Sequence, residues 1–125
     1  MKKIHLKVAL ATILVLLSST TYAQVAEAPE QNMTIKEIIS NEARLHDVSE
    51  EVMNKVIGCE SNYNPEAVGD NNHSFGAVQI YLDYHPEVTK SQAFDPEWAI
   101  SFLADNLSKG KGKLWSCYRK YYGNI

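Results

Sequence analysis

The chain has no internal repeat and no low-complexity tract. At 125 residues that leaves one domain, and a hydrophobic share of 45% supplies a core, which excludes a disordered chain. No His, Cys and Asp spacing suits a metal site, so neither a metal nor another cofactor is expected. Cysteine is scarce, with only Cys59 and Cys117 present. The apolar run Val8 to Leu17, broken only by Thr12, is too short for a comfortable membrane span.

That run has another reading. Lys2, Lys3 and Lys7 precede it, and Ser18 to Ala23 are small or polar apart from Tyr22. This is the pattern of a secretory leader, so residues 1–23 are expected to be a signal peptide. Cleavage after Ala23 or after Ala28 fits the small-residue rule, and an uncleaved anchor is the alternative. No Cys lies near either point, so no lipidated N-terminus is indicated. Residues 24–33, with Pro29, read as a loose lead-in, and 34–125 as the folded domain. Localisation is expected to be exported, periplasmic or extracellular, with no stable membrane insertion once the leader is gone.

Basic residues are in deficit. Loss of the leader leaves nine Lys and Arg against 15 Asp and Glu, a formal charge of −6. Such a balance argues against nucleic acid or an anionic membrane surface as partner and says little about a glycan.

What is present is helical punctuation. Thr34 to Glu37 is a capping box opening a helix with Ile35, Ile38 and Ile39 on one face. Asp47 or Ser49 can cap the next helix, with Val48 and Met53 as a hydrophobic staple. Thr89 to Ala93 suits a short helix. Asp95-Pro96-Glu97 starts a longer one, whose Ala99, Ile100, Leu103, Ala104 and Leu107 recur at helical spacing before a stop at Gly110. Lys109 to Lys113 reads as a mobile, solvated basic loop.

The second helix carries the chemistry. Val52, Val56 and Glu60 are four apart, flanked by Met53 and Ile57, so Glu60 projects from the apolar face. Loss of water and the negative end of the helix dipole both raise a carboxyl pKa there, which suits a general acid. The plainer alternative is a helix-end Glu reaching solvent. Asn62 to Ser74 is a turn-rich loop in which Asp70 reads as a turn residue, though it is also the candidate second carboxylate. His73 reads as solvent-facing, with a sugar contact as the alternative. Gly76 to Gln79 suits the start of a helix. Tyr81, Tyr84 and His85 suit either sugar stacking or core packing. Two cysteines in an exported chain suggest a disulfide, Cys59 to Cys117, with free thiols as the alternative.

Taken together, Glu60-Ser61, Tyr63, Pro65, Ala67-Val68-Gly69 and Ser74-Phe75-Gly76-Ala77-Val78-Gln79-Ile80 resemble the opening of the soluble lytic transglycosylase domain family. The likeness is dense over residues 57–80 and covers roughly Thr34 onward. It implies a mainly α, lysozyme-like α+β fold: a compact helical domain with a small loop or hairpin region flanking a cleft. It implies cleavage of the MurNAc-GlcNAc β-1,4 bond of peptidoglycan, with 1,6-anhydromuramic ends and Glu60 as acid, then base.

By the same resemblance, Ser61 supports Glu60, Gly76 lets backbone approach substrate, and Gln79 faces the cleft, a surface amide being the alternative. Tyr118 stands where the family's third motif, Ala-Tyr-Asn, has its Tyr, which is expected to hydrogen-bond the acid; Cys117 and Arg119 replace its neighbours. The family often continues further, and this chain stops within eight residues, so a reduced far side of the cleft is expected. The expected partners are peptidoglycan glycan strands, with unidentified cell-envelope machinery beside them.

Asp70 and Asp83 have no sequence-level reason to lie the roughly 5–10 Å from Glu60 that hydrolase schemes need. A hydrolytic muramidase of the same fold and a non-catalytic peptidoglycan-binding module are the alternatives. An Asp facing Glu60 across the cleft would favour the muramidase, and inactivity on purified walls the module.

Overall fold

The computed structural model describes residues 32–123. The expected leader and its cleavage points lie outside them, as does all but the end of the lead-in. The elements run α1 (Ile35–His46), α2 (Glu50–Ser61), β1 (Val68–Gly69), β2 (Ser74–Phe75), β3 (Ile80–Tyr81), α3 (Lys90–Phe94) and α4 (Pro96–Ser108). A single 3-10 turn, Gly112–Leu114, then leads into α5 (Ser116–Tyr122). The described part is mainly helical with one small antiparallel sheet, ordered β1-β2-β3. None of its helices is long and apolar enough to cross a membrane.

The helices start where their caps dictate. Glu37 N–H donates to Thr34 Oγ1 at 3.3 Å, and Thr34 N–H donates back to Glu37 Oε2 at 2.8 Å, satisfying two otherwise orphaned donors. Ser49 caps α2. Asp47, the other candidate, instead ends α1 in the left-handed conformation, φ 53°. Thr89 and Gln92 form a second capping box at α3, and Asp95 Oδ1 accepts from Glu97 and Trp98 N–H at α4. Helix α4 ends at a Schellman motif: Lys111 N–H reaches Asn106 O at 2.8 Å and Gly110 N–H reaches Leu107 O at 3.0 Å.

Helix α4 packs on α1, α1 on α2, and α2 on α5. Ile38, Ile39, Met53, Val56, Ile57, Ile100 and Leu103 fill the space between them. Each such side chain contributes about 1.5–3 kcal/mol by leaving water. Trp115 extends the core toward the sheet, its indole N–H donating to Val78 O at 2.9 Å. That bond fixes the 3-10 turn and the start of α5 against the β2–β3 hairpin.

Two expectations are corrected. Gly76 to Gln79 is not a helix start but the turn of the β2–β3 hairpin, with Phe75 paired to Ile80. Gly76 at φ 79° and Gln79 at φ 51° are both left-handed, which ends any helical path. Lys109 to Lys113 keeps its three lysines exposed, as expected, but is not without structure. It holds the Schellman end of α4 and the 3-10 turn, and Lys109 pairs with Asp105 at 2.7 Å.

Cys59 and Cys117 form a disulfide, with Cα atoms 6.0 Å apart and a separation of 58 positions in sequence. It joins the last turn of α2 to the first turn of α5. Closing a loop of that length contributes about 4 kcal/mol in the chain-entropy picture. Reduction should therefore lower the melting temperature by more than about 10 °C in a domain of this size. A calorimetric scan with and without reductant checks this, and an unchanged transition would contradict it.

Candidate functional site

Helix α2 presents Glu60 one residue from the disulfide and on the same face as buried Val56 and Ile57. Its carboxylate is half-buried. Oε1 accepts from the backbone N–H of Cys117 at 2.9 Å and from Ser116 Oγ at 3.2 Å. Burial pushes the Glu60 pKa up, because the charged form loses water. The hydrogen bonds from Cys117 and Ser116 oppose that shift, Asp70 adds to it through its charge, and Arg119 opposes it; burial prevails. Glu60 is therefore a rigidly placed carboxylic acid that keeps its proton to a higher pH than an ordinary Glu.

The acid opens into a cleft of about 190 Å³. The hairpin and the turn after it contribute Gln79, Tyr81, Tyr84 and His85 to the lining, and Leu114, Ser116 and Arg119 come from the 3-10 turn and α5. Tyr84 is 80% exposed and Leu114 52% exposed, so apolar surface is offered to whatever enters. Tyr81 sits in an aromatic file, 4.8 Å from Tyr84 and 5.6 Å from His73 between ring centroids. His85 is held edge-on to Phe102, and its Nδ1 lies 3.1 Å from Glu87 Oε1.

Several residues of the expected site tie the walls of the cleft together. Ser61 Oγ donates to Ala77 O and ties the end of α2 to the hairpin turn. Gln79 does line the cleft, but its amide Nε2 donates to Gly76 O at 2.9 Å and Ala67 O at 3.2 Å, binding the loop to the hairpin. Gly76 is buried, and the backbone it admits is protein: a Cβ there would fall 1.7 Å from Ala93 O in α3. Close packing of the hairpin turn on α3 is what the missing side chain of Gly76 allows.

Tyr118 makes no hydrogen bond to Glu60. Its ring lies over Gly112, where a Cβ would come within 2.6 Å of the ring, and it stays outside the cleft lining. The donors to Glu60 are its neighbours Ser116 and Cys117.

Asp70 is both things the sequence allowed. It is a turn residue at φ 47°, in a run with Asn71 and Asn72 that Asp and Asn tolerate. It also lines the cleft, with its carboxylate accepting from Ser74 Oγ. The candidate second carboxylate thus lines the same cleft as Glu60. Asp83 does not take that position: it pairs with His73 at 2.8 Å, leaving both exposed.

Ser116 and Arg119 were not singled out from the sequence. A signal existed, since a bridge from Cys59 to Cys117 brings the neighbours of Cys117 onto Glu60, and Ser116 and Arg119 are three apart on one helix. Among the described residues no group of three or more His, Cys, Asp and Glu is placed to hold a metal ion. Compared with protein-family models, curated proteins and solved structures, the chain matches none.

A raised pKa has a stability consequence. Since the folded value of Glu60 lies above the unfolded one, its contribution is fully present below the ordinary Glu pKa. It is lost as pH rises through the folded value. Gln keeps the acceptor oxygen and carries no charge. Glu60→Gln should therefore melt with the wild type below about pH 4 and above it at pH 7. Thermal melts at the two pH values test this, and a variant less stable at pH 7 than at pH 4, relative to wild type, would contradict it.

Proposed function

We propose that the protein is an exported lytic transglycosylase of lysozyme-like fold, cleaving the glycosidic bond between N-acetylmuramic acid and N-acetylglucosamine in peptidoglycan. The observation that carries this reading is Glu60: a half-buried acid on a rigid helix, with its pKa raised, at the floor of a cleft with aromatic lining. The resemblance over residues 57–80 supplies the substrate class.

Protonated Glu60 donates to the glycosidic oxygen as that bond breaks, and positive charge develops at the muramoyl C1. Ionised Glu60 then takes the proton of the 6-hydroxyl on the same sugar. That oxygen attacks C1 and closes a 1,6-anhydro ring. The nucleophile is already tethered to the reacting centre, which lowers the entropic cost of attack. Cys117 N–H and Ser116 Oγ stabilise the carboxylate after the first transfer, so the same side chain serves twice. Exposed Tyr84 and the neighbouring Tyr81 offer faces on which sugar rings stack.

Asp70 supports a second reading, a hydrolytic muramidase. A carboxylate on the lining of the same cleft is what a hydrolase uses as nucleophile or base. Its bond to Ser74 and its place in a left-handed turn also give it a structural task, which the transglycosylase reading needs no further role to explain.

Digestion of purified peptidoglycan followed by mass analysis of the muropeptides separates the two. Anhydro ends, one water lighter than reducing ends, are expected; mainly reducing ends would move the assignment to the muramidase. Glu60→Gln should lose activity about 10²-fold or more, the usual worth of general acid–base catalysis, with the fold intact. Retention of more than about a tenth of wild-type activity would remove Glu60 from the acid role.

A further inference from the structure

Arg119 reaches the cleft from α5, on the same helical face as Ser116, which binds Glu60. Among the described lining residues it is the one side chain with a permanent positive charge, and Glu60 and Asp70 are the acids. Its head is anchored rather than free to wander. Nη1 donates to the Lys113 carbonyl at 2.6 Å. Among the described residues the guanidinium enters no ion pair. A guanidinium carries five N–H donors in a planar fork, so most of this one is unspent and exposed.

A cation beside a general acid works against proton retention, and Arg119 does oppose the upward shift of Glu60. Its presence there calls for a compensating use. The chain as a whole is acidic, with a formal net charge of −3, so long-range attraction will not bring an anionic polymer to the cleft. A local, oriented Arg can do so over hydrogen-bond distances, because its fork matches a carboxylate in two-point geometry.

We propose that Arg119 binds a carboxylate of the peptide stem borne by the amino-sugar strand, so that the cleft selects strands whose stem carboxylates are free over strands in which they are amidated. This inference rests on the glycan-cleaving reading of the same cleft. It assigns the sugar to the tyrosine-bearing hairpin and the stem to the 3-10 turn and α5.

The test uses the full chain carrying Glu60→Gln, so that substrate is held and not cleaved. Calorimetric titration compares soluble stem-bearing glycan strands of equal length, one set with the stem carboxylates free and one with them amidated. With Arg119 present, strands with free stem carboxylates should bind about tenfold tighter, the size of one charge-assisted hydrogen-bonded pair. Adding Arg119→Gln should bring that ratio close to one, and Arg119→Lys should leave it intermediate. A ratio that Arg119→Gln does not change, or two affinities that fall by the same factor, would overturn the inference, the second outcome marking a structural role. Equal binding of both strands with Arg119 intact would overturn it while leaving the cleavage reading standing. Failure to bind either strand would overturn both.

Discussion

Cys59 and Glu60 are neighbours on α2, and Cys117 holds both: one through its sulfur, the other through its backbone N–H at 2.9 Å. This double attachment sets the geometry of the cleft. The covalent bond keeps α5 on the end of α2, and with α5 held there, Ser116 and Cys117 are presented to the carboxylate. The environment of the acid is a balance of opposing effects. Burial favours the neutral form, and two donors favour the charged one. In the proposed reaction Glu60 gives a proton and then takes one back, which needs both forms within reach, and neither effect alone provides that.

The remaining structure serves that junction. Trp115 carries the core to the hairpin by bonding Val78 O, and Ser61 carries the end of α2 to the same turn by bonding Ala77 O. Gln79 closes the third side by holding the Ala67 and Gly76 carbonyls. Side chains that first suggest substrate contact are thus spent on rigidity. Tyr81, Tyr84, Leu114 and Arg119 line the cleft without taking part in those ties.

How much of this was legible depended on how local the cause is. The caps at Thr34, Ser49 and Asp95 act within three residues, and each was read or narrowed to two candidates, while Thr89 was read only as part of its short helix. The apolar face leading to Glu60 obeys helical periodicity, so its burial was readable too. The pairing of two cysteines needed only their number. The resemblance implied a small hairpin, and β1 and β2 pair as one, but the β2–β3 hairpin was not readable, because two-residue strands are too short to show an alternation, and Ala77-Val78 between Gly76 and Gln79 suits a helix equally well. What decides it is the buried carbonyl of Ala93 pressed against Gly76, some seventeen positions away. Tyr118 was misplaced for a similar reason: the bare surface of Gly112 takes its ring, and that is settled by how the 3-10 turn packs. Asp70 reaches the cleft through a run of left-handed residues whose direction no local pattern specifies.

The account turns on one proton at one carboxyl group. The most direct measurement is an NMR titration of the Glu60 side-chain carboxyl carbon, set beside the pH profile of kcat/KM for soluble peptidoglycan strands. The carboxyl should titrate above the ordinary Glu value of about 4.3, and activity should fall with rising pH through that same midpoint. A carboxyl titrating at or below the ordinary value, or an activity profile that ignores its midpoint, would contradict the account.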